Sequence, residues 1–408
     1  MTFKFDEEVY REGMYSMKWE FLWDAGVMTY GDHAHKKHGA NRLLPMWVAD
    51  MDFQAPPAVI EALTERAQYG VFGYAKATDA LYRAIIGWTE RRYAWPIEKE
   101  WITVAPGVVP SIHLLVRALL QPGEKVLIQR PVYHPFTAAA ERNGCVVVSN
   151  SLVYEDGRYD MDFDDLAEKT ADPDLKLAIL CSPHNPVGRV WTREELSRFG
   201  EICLENNVLV ISDEIHGDLI MPRQTFTPFA AISEEFASNT ITCIAPSKTF
   251  NLAGLKTSVA IIADETLRQT FNDALLDAGL FGTNALGLVA LEAAYNHGET
   301  WLEAVIHYIQ ANYEYMESYL AECIPQIKPV PLEGTYLAWW DCRDLGLSLE
   351  ELKALFRDKA RVFIEEGEIF GPEGAGFQRV NIACHRPILV EALERIRTAI
   401  IPGYQDHK

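Results

Sequence analysis

One repeated unit constrains this chain more than any other feature: a short apolar run, then a polar loop, then a helical pattern. Lys125–Gln129 (KVLIQ), Cys145–Ser149 (CVVVS), Leu177–Cys181 (LAILC), Val208–Ile211 (VLVI) and Thr240–Ile244 (TITCI) all open such units. A strand with one face in water alternates apolar and polar residues. These runs do not alternate, so both of their faces must be covered. Buried strands separated by helices build a mostly parallel sheet with helices on each side. Thr192-Arg-Glu-Glu195 has the pattern of a capping box and opens the helix after the Leu177 strand. In sheets of this kind, ligands sit just outside the carboxyl ends of the strands.

The pattern changes after about residue 285. Asn284–Ala294 and Thr300–Leu320 read as long helices, Thr335–Trp340 as a strand, and segments near Leu349–Ala360 and Leu389–Ile400 as further helices. This predicts an α/β chain with two domains: residues 46–290 as the large one, and 1–45 with 291–408 as a smaller α+β one. A formal net charge of -21 repels phosphate backbones and anionic lipid, which argues against nucleic-acid and membrane partners. The seven cysteines are odd in number and include no C-x-x-C, which fits reduced thiols. Met1–Glu8 lacks a signal-peptide core, and no run of 18 apolar residues occurs. A cytoplasmic location is expected.

The loops at the strand ends carry the chemistry. Lys248, in Ala245-Pro-Ser-Lys248, follows a buried strand directly. An ammonium is costly to bury there, but desolvation makes a lysine amine nucleophilic and suits it to a Schiff base. Ser247 and Lys256 lie close enough in sequence to bind a phosphate. Asp213 ends the Val208 strand, where a carboxylate can keep a pyridine nitrogen protonated, and His216 or Asn185 can reach a phenolic oxygen on such a ring. Gly107, Val108 and Val109 open an apolar helix whose free N–H groups suit a phosphate. Each motif has an ordinary alternative: a surface lysine, a helix N-cap at Asp213, a common Asn-Pro turn, a plain helix start.

Their order is more specific than any one of them. Gly107, Tyr133, Asn185, Asp213 and Lys248 all fall just after predicted strands. This constellation resembles the fold-type I pyridoxal-phosphate enzymes, the aspartate-aminotransferase superfamily. The resemblance implies a large domain with a mostly parallel seven-stranded sheet and a smaller α+β domain. It implies pyridoxal 5'-phosphate as cofactor, Lys248 as its Schiff-base lysine, Asp213 on the ring nitrogen, Asn185 on the ring oxygen and Tyr133 stacked on the ring. Arg379, within Phe377-Gln-Arg379-Val-Asn-Ile-Ala, matches the arginine that takes the substrate α-carboxylate.

Finer wording narrows the branch. Pro45-Met-Trp-Val-Ala-Asp-Met-Asp-Phe53, Gly70-Val-Phe-Gly-Tyr74, Pro131-Val-Tyr-His-Pro-Phe136, His184-Asn-Pro-Val-Gly188 and Ser247-Lys-Thr-Phe-Asn251 look like the MalY/PatB group of cystathionine β-lyase-type, carbon–sulfur-cleaving enzymes. By that resemblance the enzyme is a homodimer, with Tyr74 reaching the neighbouring subunit's cofactor phosphate. Trp47, Val48 and Ala49 border the substrate together with Tyr133 and Asn185. The reaction implied is α,β-elimination from cystathionine or a related cysteine thioether, giving a thiol, pyruvate and ammonia. The alternative is transamination with a 2-oxo acid. Two positions depart from many aminotransferases: Ala245 stands where a serine is frequent, and His216 where a tyrosine is frequent. The His33, His35 and His38 cluster reads as a solvated loop rather than a metal site, and Trp339-Trp340 as one core-facing and one outward ring.

Overall fold

The apolar runs assemble into a single seven-stranded sheet. The computed structural model describes residues 3–11, 13–24, 27–30, 42–280 and 282–401. The strands are β1 (Ile102–Ala105), β2 (Lys125–Ile128), β3 (Val146–Ser149), β4 (Leu175–Cys181), β5 (Leu209–Asp213), β6 (Thr240–Ile244) and β7 (Ser258–Ile261). Their spatial order is β1-β7-β6-β5-β4-β2-β3. Strand β7 runs antiparallel to both of its neighbours, and all the other pairings are parallel.

Period-two geometry sends alternate residues to opposite faces. Val126, Ile128, Leu177 and Ile179 enter one core, while Leu127, Ala178, Leu180 and Val210 enter another. Each such Val, Leu or Ile, fully buried, contributes roughly 1.5–3 kcal/mol relative to exposure. The expected capping box is complete. The Thr192 hydroxyl accepts from Glu195 N at 3.1 Å, and the Glu195 carboxylate accepts from Thr192 N at 2.8 Å. The seven cysteines are all unpaired, six of them buried.

A second sheet, antiparallel throughout, is made of β8 (Lys328–Pro329), β9 (Leu337–Asp341), β10 (Glu365–Glu366) and β11 (Phe377–Asn381), in the order β8-β9-β11-β10. Here one expectation is corrected. Trp339 and Trp340 do point to opposite faces, but neither faces solvent. Trp339 stacks on Phe377 with ring centroids 5.3 Å apart, and the Trp340 indole approaches the Met316 sulfur at 3.3 Å. Helices and loops cover both sides of this sheet. The helix expected near Leu349–Ala360 is α-helical over Leu349–Lys353 and π-helical over Ala354–Lys359.

The N-terminal segment joins both regions. Leu44–Pro45 pairs in parallel with Val362–Phe363, and Phe5 packs against Phe53, Trp301 and Tyr308. No helix among the described residues is long and apolar enough to cross a membrane. No group of three or more metal-ligating side chains occurs among them either. His33, His35 and His38 lie outside the described residues.

Candidate active site

Polar groups from the carboxyl ends of five strands converge on a cavity of about 180 Å³. At one end, β1 leads into helix α1 (Val108–Leu119) through Gly107. Gly107 has a φ of +154°, which L side chains rarely adopt, and a Cβ there would sit 3.3 Å from the Pro110 ring. The first N–H groups of α1 have no helical partners. Val108, Val109, Ser247 and Lys256 line the same cavity, which gathers a helix start, a hydroxyl and an amine that can hold a phosphate.

Asp213 and His216 line the same cavity and are both buried. Asp213 is fully buried at the end of β5, and burial raises its carboxyl to about 7. The Ile215 N–H, bonded to Oδ1 at 3.1 Å, and the charge of Lys248 oppose that rise. His216 is held neutral: burial first, then the charges of Lys248 and Arg379, push its pKa well below the usual value. Its buried Nδ1 has no partner. Tyr133 lines the cavity, and its N–H donates to the Asn185 carbonyl at 3.1 Å.

Lys248 lies on the short helix Pro246–Thr249 after β6. Its Nζ donates to the Ala49 carbonyl at 2.6 Å. Burial lowers the amine from 10.5 to about 8, while the Asp50 carboxylate pulls it back up. The next residue is anchored: buried Asp218 accepts from Thr249 Oγ1 at 2.8 Å, Tyr93 Oη at 2.6 Å and Trp88 Nε1 at 3.1 Å.

A second cavity of about 750 Å³ shares Ala49, Tyr133, Lys248 and Lys256 with the first. One wall is the loop Trp47–Asp50, held by its main chain. The Ala49 carbonyl also accepts from Tyr336 Oη at 2.8 Å, and the Val48 and Asp50 carbonyls accept from Asn381 Nδ2 at 2.6 Å each. Behind it, Lys18 and Arg11 pair with Asp52 at 2.8 and 3.1 Å. Arg379 enters from β11. Its Nη1 donates to Asn185 Oδ1 at 2.9 Å, its Nη2 donates to the Trp47 carbonyl at 3.1 Å, and Nη2 is also ion-paired with Glu365. Burial lowers this guanidinium to about 10, so it stays charged.

The structure therefore brings together Gly107, Val108, Val109, Tyr133, Asn185, Asp213, His216, Ser247, Lys248, Lys256, Arg379 and the loop Trp47–Ala49. Tyr74 stands apart, fully exposed and outside both cavities. Sequence reasoning missed Asp50 as the charge beside Lys248, and it missed Tyr336, Asn381 and Glu365. Asp50 and Asn381 lay inside noted motifs and Tyr336 inside a segment read as a strand, but what each of them, and Glu365, touches is set by tertiary pairing that no local pattern reveals. A buried carboxyl, an imidazole with an unpartnered nitrogen and the start of a helix, all lining one cavity, suit a planar pyridine that carries a phosphate.

The family model for aminotransferase class I and II matches residues 43–396. The chain is 43% identical over 396 residues to cystathionine beta-lyase PatB of Bacillus subtilis, covering 97% of this chain and 99% of that protein. It is 32% identical over 401 residues to Protein MalY of Escherichia coli, covering 98% and 99%. Among solved structures it is similar to cystalysin from Treponema denticola, which contains a pyridoxal 5'-phosphate cofactor, with a TM-score of 0.91 and 35% identity over 98% of this chain and 99% of that one.

Proposed function

The chain belongs to the aminotransferase class I and II family, and from that premise we propose that it is a pyridoxal-phosphate-dependent carbon–sulfur β-lyase. It cleaves L-cystathionine or related cysteine thioethers to a thiol, pyruvate and ammonia. The observation that carries this reading is the placement of a partly deprotonated buried amine, Lys248, in the same cavity as a carboxylate-binding guanidinium, Arg379.

Lys248 is the residue to hold the cofactor covalently. Asp213 would pair with its ring nitrogen, Asn185 and His216 would serve the ring oxygen, and Tyr133 would pack on the ring; all four line the cavity that would receive it. Ser247, Lys256 and the Gly107–Val109 helix start take the phosphate. Bound there, pyridoxal phosphate supplies an electron sink that acidifies the Cα–H of an attached amino acid. Arg379 fixes the α-carboxylate, which sets the orientation of the Cα–H bond toward Lys248. Lys248 Nζ, freed as a neutral amine, accepts the Cα proton. A thiolate on Cβ then departs, and one water converts the remaining three-carbon unit to pyruvate and ammonia. Trp47, Val48 and Ala49 border the substrate, and the walls of the larger cavity receive the part beyond sulfur.

The enzyme works as a homodimer. Tyr74 is fully exposed within an exposed apolar run that includes Tyr69, Val71 and Phe72, and it completes the partner's phosphate site. Seven unpaired cysteines suit the cytoplasm.

Incubation with cystathionine and no 2-oxo acid tests the proposal. Equal amounts of thiol and pyruvate are expected from the wild type and none from Lys248→Ala. Turnover that appears only when a 2-oxo acid is added would move the assignment to transamination.

A further inference from the structure

Arg379 already binds a carboxylate that belongs to the chain itself. Glu365 on β10 stands directly opposite Arg379 in the antiparallel register with β11, and its Oε2 is ion-paired with Nη2. Both residues line the 750 Å³ cavity that holds Lys248. A guanidinium offers two forks to a carboxylate, the Nη1/Nη2 edge and the Nε/Nη2 edge. Each fork needs a hydrogen on Nη2. One Nη2 hydrogen goes to the Trp47 carbonyl, which is main chain and part of the wired loop, and the other goes to Glu365. Nε has no partner, and Nη1 gives one hydrogen to Asn185. Neither fork is complete while Glu365 stays in place. Of the two groups on Nη2, only the side chain can swing away.

We propose that Glu365 is a specificity-determining residue, an internal competitor that must leave Arg379 before a ligand carboxylate binds bidentately. The inference rests on the reading of Arg379 as the α-carboxylate site. It follows that a bare monocarboxylate, pyruvate included, is held weakly. An amino acid, which is also held through its amine, can displace Glu365.

The test is calorimetric titration of the holoenzyme with propionate, an inert monocarboxylate, alongside KM for S-ethylcysteine. Glu365→Gln keeps the size of the side chain and removes its charge. Its propionate Kd is expected to fall about tenfold, equivalent to about 1.4 kcal/mol, with KM falling in the same direction, and Arg379→Ala is expected to abolish propionate binding. If Glu365 instead only positions Arg379, Glu365→Gln will bind propionate more weakly; that result, or an unchanged Kd, overturns the proposal. Should Glu365→Gln fail to fold, Glu365→Ala carries the same expectation of tighter propionate binding. Propionate binding needs no turnover, so failure of this inference is distinguishable from failure of the lyase assignment, which shows as absent pyruvate from the wild type.

Discussion

The reactivity of Lys248 yields the sharpest prediction. Burial lowers its amine from the usual 10.5 to about 8. At 1.36 kcal/mol per factor of ten, the site disfavours the ammonium by roughly 3 kcal/mol. Only the neutral amine attacks an aldehyde, so capture of pyridoxal phosphate by the apoenzyme tracks the neutral fraction. That fraction is set by the pKa of about 8: it rises about tenfold from pH 6 to 7, about fivefold from pH 7 to 8, and less than about twofold from pH 8 to 9. An ordinary lysine, with a pKa of about 10.4, would still gain about tenfold from pH 8 to 9 and about sevenfold from pH 9 to 10. The assay is the initial rate of cofactor incorporation, followed by absorbance and trapped with borohydride. Asp50→Asn adds a sign test. The Asp50 charge raises the Lys248 pKa, so its removal shifts the bend to lower pH and speeds capture at pH 7. A rate that climbs without bending past pH 9, or an Asp50→Asn variant that is slower at pH 7, would refute the reasoning.

Other expectations follow from particular contacts. Arg379→Lys keeps the charge but loses one charge-assisted hydrogen bond, worth about 2 kcal/mol, so KM for a thioether substrate should rise roughly 30-fold in steady-state assays. Asp218→Ala strands the buried donors Trp88 and Thr249 and the half-buried Tyr93; urea denaturation should show a loss of about 2–4 kcal/mol. Tyr74→Phe should raise the cofactor Kd about tenfold while sedimentation still shows a dimer.

The legible parts of the molecule were those that local pattern encodes. β2, β4, β5 and β6 were visible because strands covered on both faces leave unbroken apolar runs; β3 was read by the same sign, but it is an edge strand and its Val146 is exposed. Lys248, Asp213 and Asn185 were visible because each sits within a few residues of such a strand's end. Strands β1 (Ile102–Ala105) and β7 (Ser258–Ile261) were not among the runs read as strands; they are no shorter than β2, and what sets them apart is their place, paired with each other at one side of the sheet by an antiparallel return that the strand-loop-helix repeat does not announce. Glu365 could not be tied to Arg379, since their contact depends on the register of two strands joined by an irregular segment. Tyr336 and Asn381 converge on Trp47–Asp50 from nearly 300 residues or more away in the chain, a distance over which no periodicity carries information. That both rings of Trp339-Trp340 are buried was hidden for a related reason: burial on the outer face of a small sheet depends on which helices cover it.

The loop Trp47–Asp50 is fastened by the carbonyls of Trp47, Val48, Ala49 and Asp50. Every amino acid has a carbonyl, so these fastenings do not depend on which side chains the loop carries. Mutation can therefore recast Val48 and Ala49, and with them the shape of the surface that meets a substrate, while the hydrogen bonds that hold Arg379 and Lys248 persist. A lineage can change its diet at this wall without dismantling its chemistry.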